Sequence, residues 1–241
     1  MLPRRSIAML IAAGLAGCAG ADRRIVRPAP EVPPTPEAYL RLAGEVEANL
    51  QRHVLAMWFP RAVDREHGGF YQSFKEDWTG GASSDKTIVY QSRLTWVASQ
   101  AAMRYPAQAD FYVPFARHGL ECLAGKLWDR EHGGFFWAVD ANGRLTSDRG
   151  RKHVYGIAFG IYAAVAEHAA ARDARAMDLA KRAFAWLEEH AHDPRNGGYY
   201  EALTRQGRPI LTAPADPNDP VSDAIGTVVH SSGESPVDGA S

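Results

Sequence analysis

Apolar and polar positions along this chain alternate in a pattern that runs through the same changes three times. From about Ala38 to Pro60 the apolar residues recur at helical spacing. Next comes DREHGGFYQSF from Asp64, a glycine pair followed by aromatics, and then KTIVYQSRLTWVASQAAM from Lys86, which is helical again. The cycle restarts with FYVPFARHGLECLAGKLW, DREHGGFFWAV from Asp129 and KHVYGIAFGIYAAVAEHAA from Lys152. It opens a third time with ARAMDLAKRAFAWLEEHA and DPRNGGYYEAL from Asp193. The aspartates lie 65 and then 64 residues apart, and the two lysines 66 apart. A catalytic motif is needed once, so constant spacing points to a repeated structural unit.

The two helices of a unit differ in kind. In ARAMDLAKRAFAWLEEHA, residues Met177, Ala180, Phe184, Leu187 and Ala191 are expected on one side with the charges opposite, which predicts an amphipathic outer helix. From Val154 to Val165 the other type is apolar nearly all round, which predicts an inner helix enclosed by its neighbours. Between them the glycine pair predicts a tight turn, and the aromatics after it predict short strands. No such pair can bury its inner helix alone. The pattern therefore predicts an all-α fold, an α/α toroid with short β-hairpins between helices, over residues 38–212.

The ends of the chain read differently. Arg4 and Arg5, the apolar run from Ile7 and the small residues up to Gly17 predict a secretion signal over residues 1–17, too short to cross a bilayer. Leu15-Ala16-Gly17-Cys18 resembles the lipobox of bacterial lipoproteins, which implies lipidation at Cys18 and a place in the cell envelope, periplasmic or at the outer membrane; an ordinary cleaved signal implies secretion instead. Residues 18–37, with five prolines between Arg27 and Pro36, predict an extended tether. Residues 213–241 predict a loop and a disordered tail, since HSSGESPVDGAS after Val229 has no helical period.

With 46% apolar residues in 241, the chain can bury a substantial core. Removing residues 1–17 takes away Arg4 and Arg5 and moves the net charge from −1 to −3. No basic patch interleaved with aromatics suggests nucleic acid, and the membrane is reached only through Cys18. With Cys18 lipidated, Cys122 has no partner for an intramolecular disulfide.

Over roughly Glu45 to Leu211 the chain resembles the N-acylglucosamine 2-epimerase superfamily, which includes the cellobiose and mannose 2-epimerases. The resemblance rests on DREHGGFYQSF, the Gln91-Ser92-Arg93 step, LWDREHGGFFWAVD, KHVYGIAFGIYA and HDPRNGGYYEAL in that order. It implies an (α/α)6 barrel acting without metal or cofactor on a mono- or disaccharide. In that chemistry the C2 proton of an open-chain aldose is removed and returned to the other face through an enediolate, by two histidines. By motif, Arg93 is implied to contact sugar oxygens and Tyr155 to line the pocket, both facing the barrel axis. Tyr90 and His153 are implied to support them.

Simpler readings stand beside these. Arg93 can pair with an inner-helix carboxylate and Tyr155 can be core. His67 and His132 fit turn structure better than metal binding, and Phe136 and Trp137 are candidates to stack on a sugar face. The family's histidine pair belongs to later inner helices, so no catalytic residue is assigned here. His230 is given no such role. Six units of this length exceed the chain, which implies an incomplete half-toroid, the product of a truncated or frameshifted gene, inactive alone and prone to self-association through exposed inner helices. Two alternatives are a non-enzymatic carbohydrate-binding lipoprotein and an α/α-toroid glycoside hydrolase. Asp85 and Glu201 are the carboxylates near hairpin ends for the latter, with no argument that pairs them.

Overall fold

A computed structural model describes residues 35–79, 85–146, 150–211 and 228–229. The predicted signal, Cys18, most of the tether, His230 and most of the predicted tail lie outside the described residues. The chain divides into two compact units, Met1–Leu50 and Gln51–Ser241.

The first unit carries α1 (Pro36–Asn49). Thr35 caps it, accepting a hydrogen bond from the Ala38 amide, and Pro36 and Glu37 open the first turn. Proline and an acidic group suit a helix N-terminus, where the first amides have no internal partner. A π-helical segment, Leu50–Leu55, follows, and then the short α2 (Ala56–Trp58).

In the second unit, which includes α2, the order continues with β1 (Lys86–Thr87), α3 (Ile88–Arg104), α4 (Ala109–Cys122), β2 (Ala138–Val139), β3 (Lys152–His153), α5 (Val154–Ala171), α6 (Ala174–His190), β4 (Tyr199–Tyr200), β5 (Ala202–Leu203) and β6 (Val228–Val229). The inner helices α3 and α5 pack side by side, with α4 against α3 and α6 against α5. Both predicted inner helices begin two residues later than their lysines, which sit in β1 and β3. Within the predicted tail, β6 pairs antiparallel with β4.

The repeated segment is one turn built three times. The amides of Asp64, Asp129 and Asp193 donate to the carbonyls of Gly69, Gly134 and Gly198 at 2.9, 2.9 and 3.0 Å. The amides of Gly68, Gly133 and Gly197 donate back to the aspartate carbonyls at 2.9 Å. All six glycines have φ between 68° and 76°, a region that disfavours a Cβ. At Gly69 a Cβ would also lie 2.6 Å from Gln91 Oε1 and 2.7 Å from Cys122 Sγ. Each aspartate carboxylate accepts from the amides two and three residues on, closing the turn.

The strands correct one detail of the predicted unit. β1 pairs with β2 and β3 with β5, so the residues leading into each inner helix pair with the hairpin of the next repeat. Ladder hydrogen bonds thus stitch repeat to repeat. Buried lysines reinforce them. Lys86 Nζ lies 2.6 Å from Asp64 Oδ2 and 3.3 Å from the Phe70 carbonyl, with no exposed side-chain surface on either partner. Lys152 reaches Asp129 Oδ2 at 3.1 Å, the Arg205 carbonyl at 2.7 Å and the Gly133 carbonyl. Burial would raise the Asp129 carboxyl, but hydrogen bonds from Arg205 and Lys152 outweigh it and hold it at about 2.

The core lies between the four long helices, with Ile88, Leu120, Leu123, Phe135, Ile157, Leu179 and Trp186 buried in one cluster. α5 approaches closely because it offers small residues there; a Cβ at Gly160 would collide with Phe135. Two sequence expectations fail on helix faces. On α6 the buried stripe is Ala176, Leu179, Ala180, Ala183, Trp186 and Leu187, while Phe184 is 53% exposed and Met177 half-buried. Small alanines let α6 sit close to α5, and that proximity rather than residue size selects the face. α5 is not enclosed either: Tyr155, Tyr162 and Val165 are exposed.

Candidate functional site

The exposed side of α5 is where the chemistry collects. Glu201, just before β5, shapes its first turn. Its carbonyl accepts from Val154 N at 3.0 Å, its Oε2 from Tyr155 N at 3.2 Å, and its Oε1 lies 3.5 Å from His153 Nδ1. A carboxylate there satisfies helix-end amides and meets the positive end of the helix dipole. His153 is wedged between Glu201 and the Trp137 ring, whose centroid is 4.6 Å away. Its geometry is that of a support for the turn carrying Tyr155.

Arg93 comes from α3, one turn beyond Tyr90. Its guanidinium lies 3.5 Å from the Tyr155 hydroxyl, and its carbon is 5.0 Å from the Phe159 ring centroid. Among the described residues no carboxylate pairs with it. Further along, Trp96 stacks on Tyr162 at 5.0 Å with an interplanar angle of 18°. Tyr155, Ala158, Phe159 and Tyr162 line a shallow depression of about 320 Å³. The result is a mostly aromatic surface with one guanidinium and one phenol at its edge. Such a surface suits a ligand with apolar faces and many hydroxyls.

Structure and sequence agree on bringing Arg93 and Tyr155 together on one face. The resemblance implies that both face the barrel axis, on the side that an incomplete half-toroid leaves uncovered. Here Arg93 is exposed and Tyr155 is 48% exposed. Tyr90 donates to the Tyr71 carbonyl at 2.7 Å, and burial pushes its phenol upward. Phe136 is not available for stacking: it is buried in the core, with the Lys152 and Arg205 cations over its ring. Trp137 is spent on His153. Phe159, Tyr162 and Glu201 escaped the sequence reading as parts of this surface. Tyr155, Phe159 and Tyr162 stand at helical i, i+4, i+7 spacing, yet the uniform hydropathy of α5 hides that face.

Five other histidines are engaged elsewhere. His118 Nε2 lies 2.7 Å from the Gly69 carbonyl, His168 Nδ1 2.9 Å from the Asp173 carbonyl, and His190 packs on Trp186. His67 and His132 lie in the aspartate turns. Among the described residues no pair of imidazoles faces Arg93 and Tyr155, and no cluster of three or more His, Cys, Asp or Glu side chains could hold a metal ion. Cys122 is a free thiol, and burial pushes it up to about 11. Glu167 on α5 is the outlying ionisable group: it is fully buried, neither carboxylate oxygen has a hydrogen-bond partner among the described residues, and burial with nearby Asp173 pushes it up to about 7.

The sequence profile of the N-acylglucosamine 2-epimerase (GlcNAc 2-epimerase) family matches residues 69–216. A cellobiose 2-epimerase of Bacteroides fragilis is 32% identical over 169 residues, covering 70% of this chain and 42% of the relative. A D-mannose isomerase of Marinomonas mediterranea is 30% identical over 118 residues, covering 49% and 28%. Among solved structures, a cellobiose 2-epimerase from Spirochaeta thermophila superposes with a TM-score of 0.68 at 34% identity, over 78% of this chain and 45% of that one. The chain thus spans less than half the length of these relatives. The alternating inner and outer helices are those of the α/α toroid class.

Proposed function

This chain belongs to the N-acylglucosamine 2-epimerase family, and from that premise we propose that the face carrying Arg93 and Tyr155 is the sugar-orienting part of a 2-epimerase site. One observation carries the reading: an exposed guanidinium without a carboxylate partner among the described residues, held beside a phenol and over an aromatic ring. In the reaction the C2–H bond of an open-chain aldose breaks and its electrons move toward the carbonyl, leaving negative charge on the enediolate oxygens. A proton then returns to C2 from the opposite face. Arg93 and the Tyr155 hydroxyl are donors suited to those oxygens, and Glu201 with His153 fixes the turn that aims Tyr155. Two imidazoles would move the protons. The described residues place none in pairs at this face, which supports the reading that this chain alone binds sugar without turning it over.

The substrate class is a reducing mono- or disaccharide. The test is titration of the full chain with cellobiose and D-mannose, followed by intrinsic fluorescence and NMR, beside Arg93→Ala. Millimolar or tighter binding, weakened at least tenfold in the variant, is the expected result; no binding overturns the reading. Incubation in D2O is expected to leave C2 unlabelled, and deuterium at C2 would overturn the statement that the chain alone is inactive.

Two further parts of the reading concern location and assembly. We propose lipid anchorage of the cell-envelope form at Cys18, checked by mass spectrometry of the mature N-terminus from membranes. We also propose that the exposed aromatic stripe of α5 draws copies together at high concentration. Light scattering, with sugar as competitor, checks it.

A further inference from the structure

Each repeat carries a second shared turn, a few residues beyond its aspartate turn. In the middle repeat Gly143 N donates to the Asp140 carbonyl at 3.0 Å, and Asp140 N to the Arg144 carbonyl at 2.8 Å. In the third, Gly207 N and Thr204 N donate to the Thr204 and Arg208 carbonyls at 2.9 Å. In the first, Trp78 N and Lys75 N donate to the Lys75 and Thr79 carbonyls at 2.9 and 3.3 Å. The left-handed position of the turn is taken by Trp78 at φ 62°, Gly143 at 85° and Gly207 at 84°. The Trp78 indole meets Trp58 edge to face at 5.2 Å. The residue just before that position changes each time, from Asp77 to Asn142 to Gln206.

The middle turn therefore sets an asparagine directly before a glycine, and that order has a chemistry of its own. The nitrogen of the next residue can close a five-membered ring on the asparagine Cγ, and glycine has no Cβ to obstruct the approach. Asparagine is thermolabile for this reason. The sequence contains the pair twice, at Asn142-Gly143 and Asn196-Gly197.

The two pairs are held differently. Asn196 lies in the third aspartate turn, where its N donates to Asp193 Oδ1 at 3.2 Å, its Nδ2 to Asp193 Oδ2 at 3.0 Å, and Gly197 N to the Asp193 carbonyl at 2.9 Å. Ring closure there must break the side-chain bond as well as the backbone one. Asn142 is exposed, and among the described residues its side-chain amide makes no hydrogen bond; only its backbone N is held, by Asp140 Oδ1 at 2.8 Å. Release of Gly143 N from the Asp140 carbonyl is enough to free the nucleophile. Exposed turns open locally at little free-energy cost.

We propose that Asn142 is a site of spontaneous deamidation, and that Asn196 is protected by its turn although the same residue follows it. A bond forms between the Gly143 nitrogen and Asn142 Cγ while the Cγ–Nδ2 bond breaks, and the Gly143 proton leaves with Nδ2 as ammonia. Water then adds to either carbonyl of the cyclic imide and opens it to an aspartyl or an isoaspartyl residue at position 142. Nothing is oxidised or reduced. Both products place a new carboxylate in the turn beside Asp140. The isoaspartyl form also lengthens the main chain by a methylene between Val139 and Leu145, which bridge across this turn. Val139 pairs with Lys86 in the ladder joining the first two repeats, so that form is expected to melt at a lower temperature.

The experiment incubates the full chain near physiological temperature and pH, and follows both asparagines over time by peptide mapping and mass spectrometry. In the folded chain Asn142 is expected to deamidate about tenfold faster than Asn196, and in guanidinium chloride the two rates should converge. Asn142→Gln, which copies the residue of the third repeat's turn, is expected to keep the melting temperature and to abolish most of the acidic species that isoelectric focusing resolves in the parent. Equal rates in the folded chain, or a faster Asn196, overturn the proposal. A difference that persists in guanidinium chloride belongs to the flanking sequence rather than to the turns, and overturns it as well.

Discussion

Lys152 and Arg93, two cations on neighbouring inner-helix segments, are treated in opposite ways. Lys152 has no exposed side-chain surface, three oxygen acceptors, and the rings of Trp186 and Phe136 around it. Arg93 is exposed, with one long contact to a hydroxyl and one ring. Burial tends to lower the Lys152 ammonium, and the Asp129 hydrogen bond opposes that shift. A buried charge is tolerated only when its partners are complete, and then it is committed to the fold. An exposed charge with incomplete partners is free to meet a ligand. Satisfaction thus separates the buried cations of the turns from the exposed one on the open face.

The contrast breaks first at the turns. Lys86→Met leaves Asp64 buried without its cation, and loss of about 3–5 kcal/mol is expected in urea unfolding. Pairing it with Asp64→Leu should recover much of that loss. A single-variant loss below about 1 kcal/mol would mean that the buried pairs do not hold the repeats together. Gly69→Ala should cost about 2–4 kcal/mol, from the left-handed backbone and the clash with Gln91 and Cys122. A mild effect would show that the turn can shift.

Glu167 offers the opposite case, a buried acid whose carboxylate has no hydrogen-bond partner among the described residues. Its folded carboxyl keeps its proton up to about pH 7, while the unfolded chain loses its proton in the ordinary carboxylate range. Stability from this group is therefore full at low pH and is lost as pH rises through about 7, by at most about 1.4 kcal/mol per unit. Glu167→Gln should flatten that fall and leave the variant more stable than the parent at pH 8. Urea midpoints from pH 5 to 8 that run parallel for the two proteins would refute it.

Smaller effects sharpen the functional side. Glu201→Gln removes the carboxylate charge at the first turn of α5 and should cost about 0.5–1 kcal/mol, with a several-fold loss of sugar affinity through Tyr155. Arg93→Ala should change stability by no more than about 0.5 kcal/mol. A large destabilisation there would turn Arg93 from a ligand group into a structural one.

The repeat was legible because each turn is local. The aspartate, two glycines and following aromatic are chosen by φ and by hydrogen bonds spanning five residues, so their chemistry shows directly in the letters at Asp64, Asp129 and Asp193. The inner and outer helices follow from hydropathy for the same reason. Pairing of β1 with β2 was not legible, since strands two residues long carry no alternation to read. Nor was the α6 face: helical period allowed the stripe through Phe184, and only the close approach of α5 selected the alanines.

Of the site, the sequence by itself determined the candidates Arg93 and Tyr155, because a family's motif preserves residue type and spacing. Tertiary structure decided the rest. It opened the face of α5, gave Glu201 to the helix end, sent Phe136 into the core and set Trp78 against Trp58. Those outcomes depend on which surfaces meet across 20 or more residues of chain, and that is a matter of packing distance rather than of local pattern.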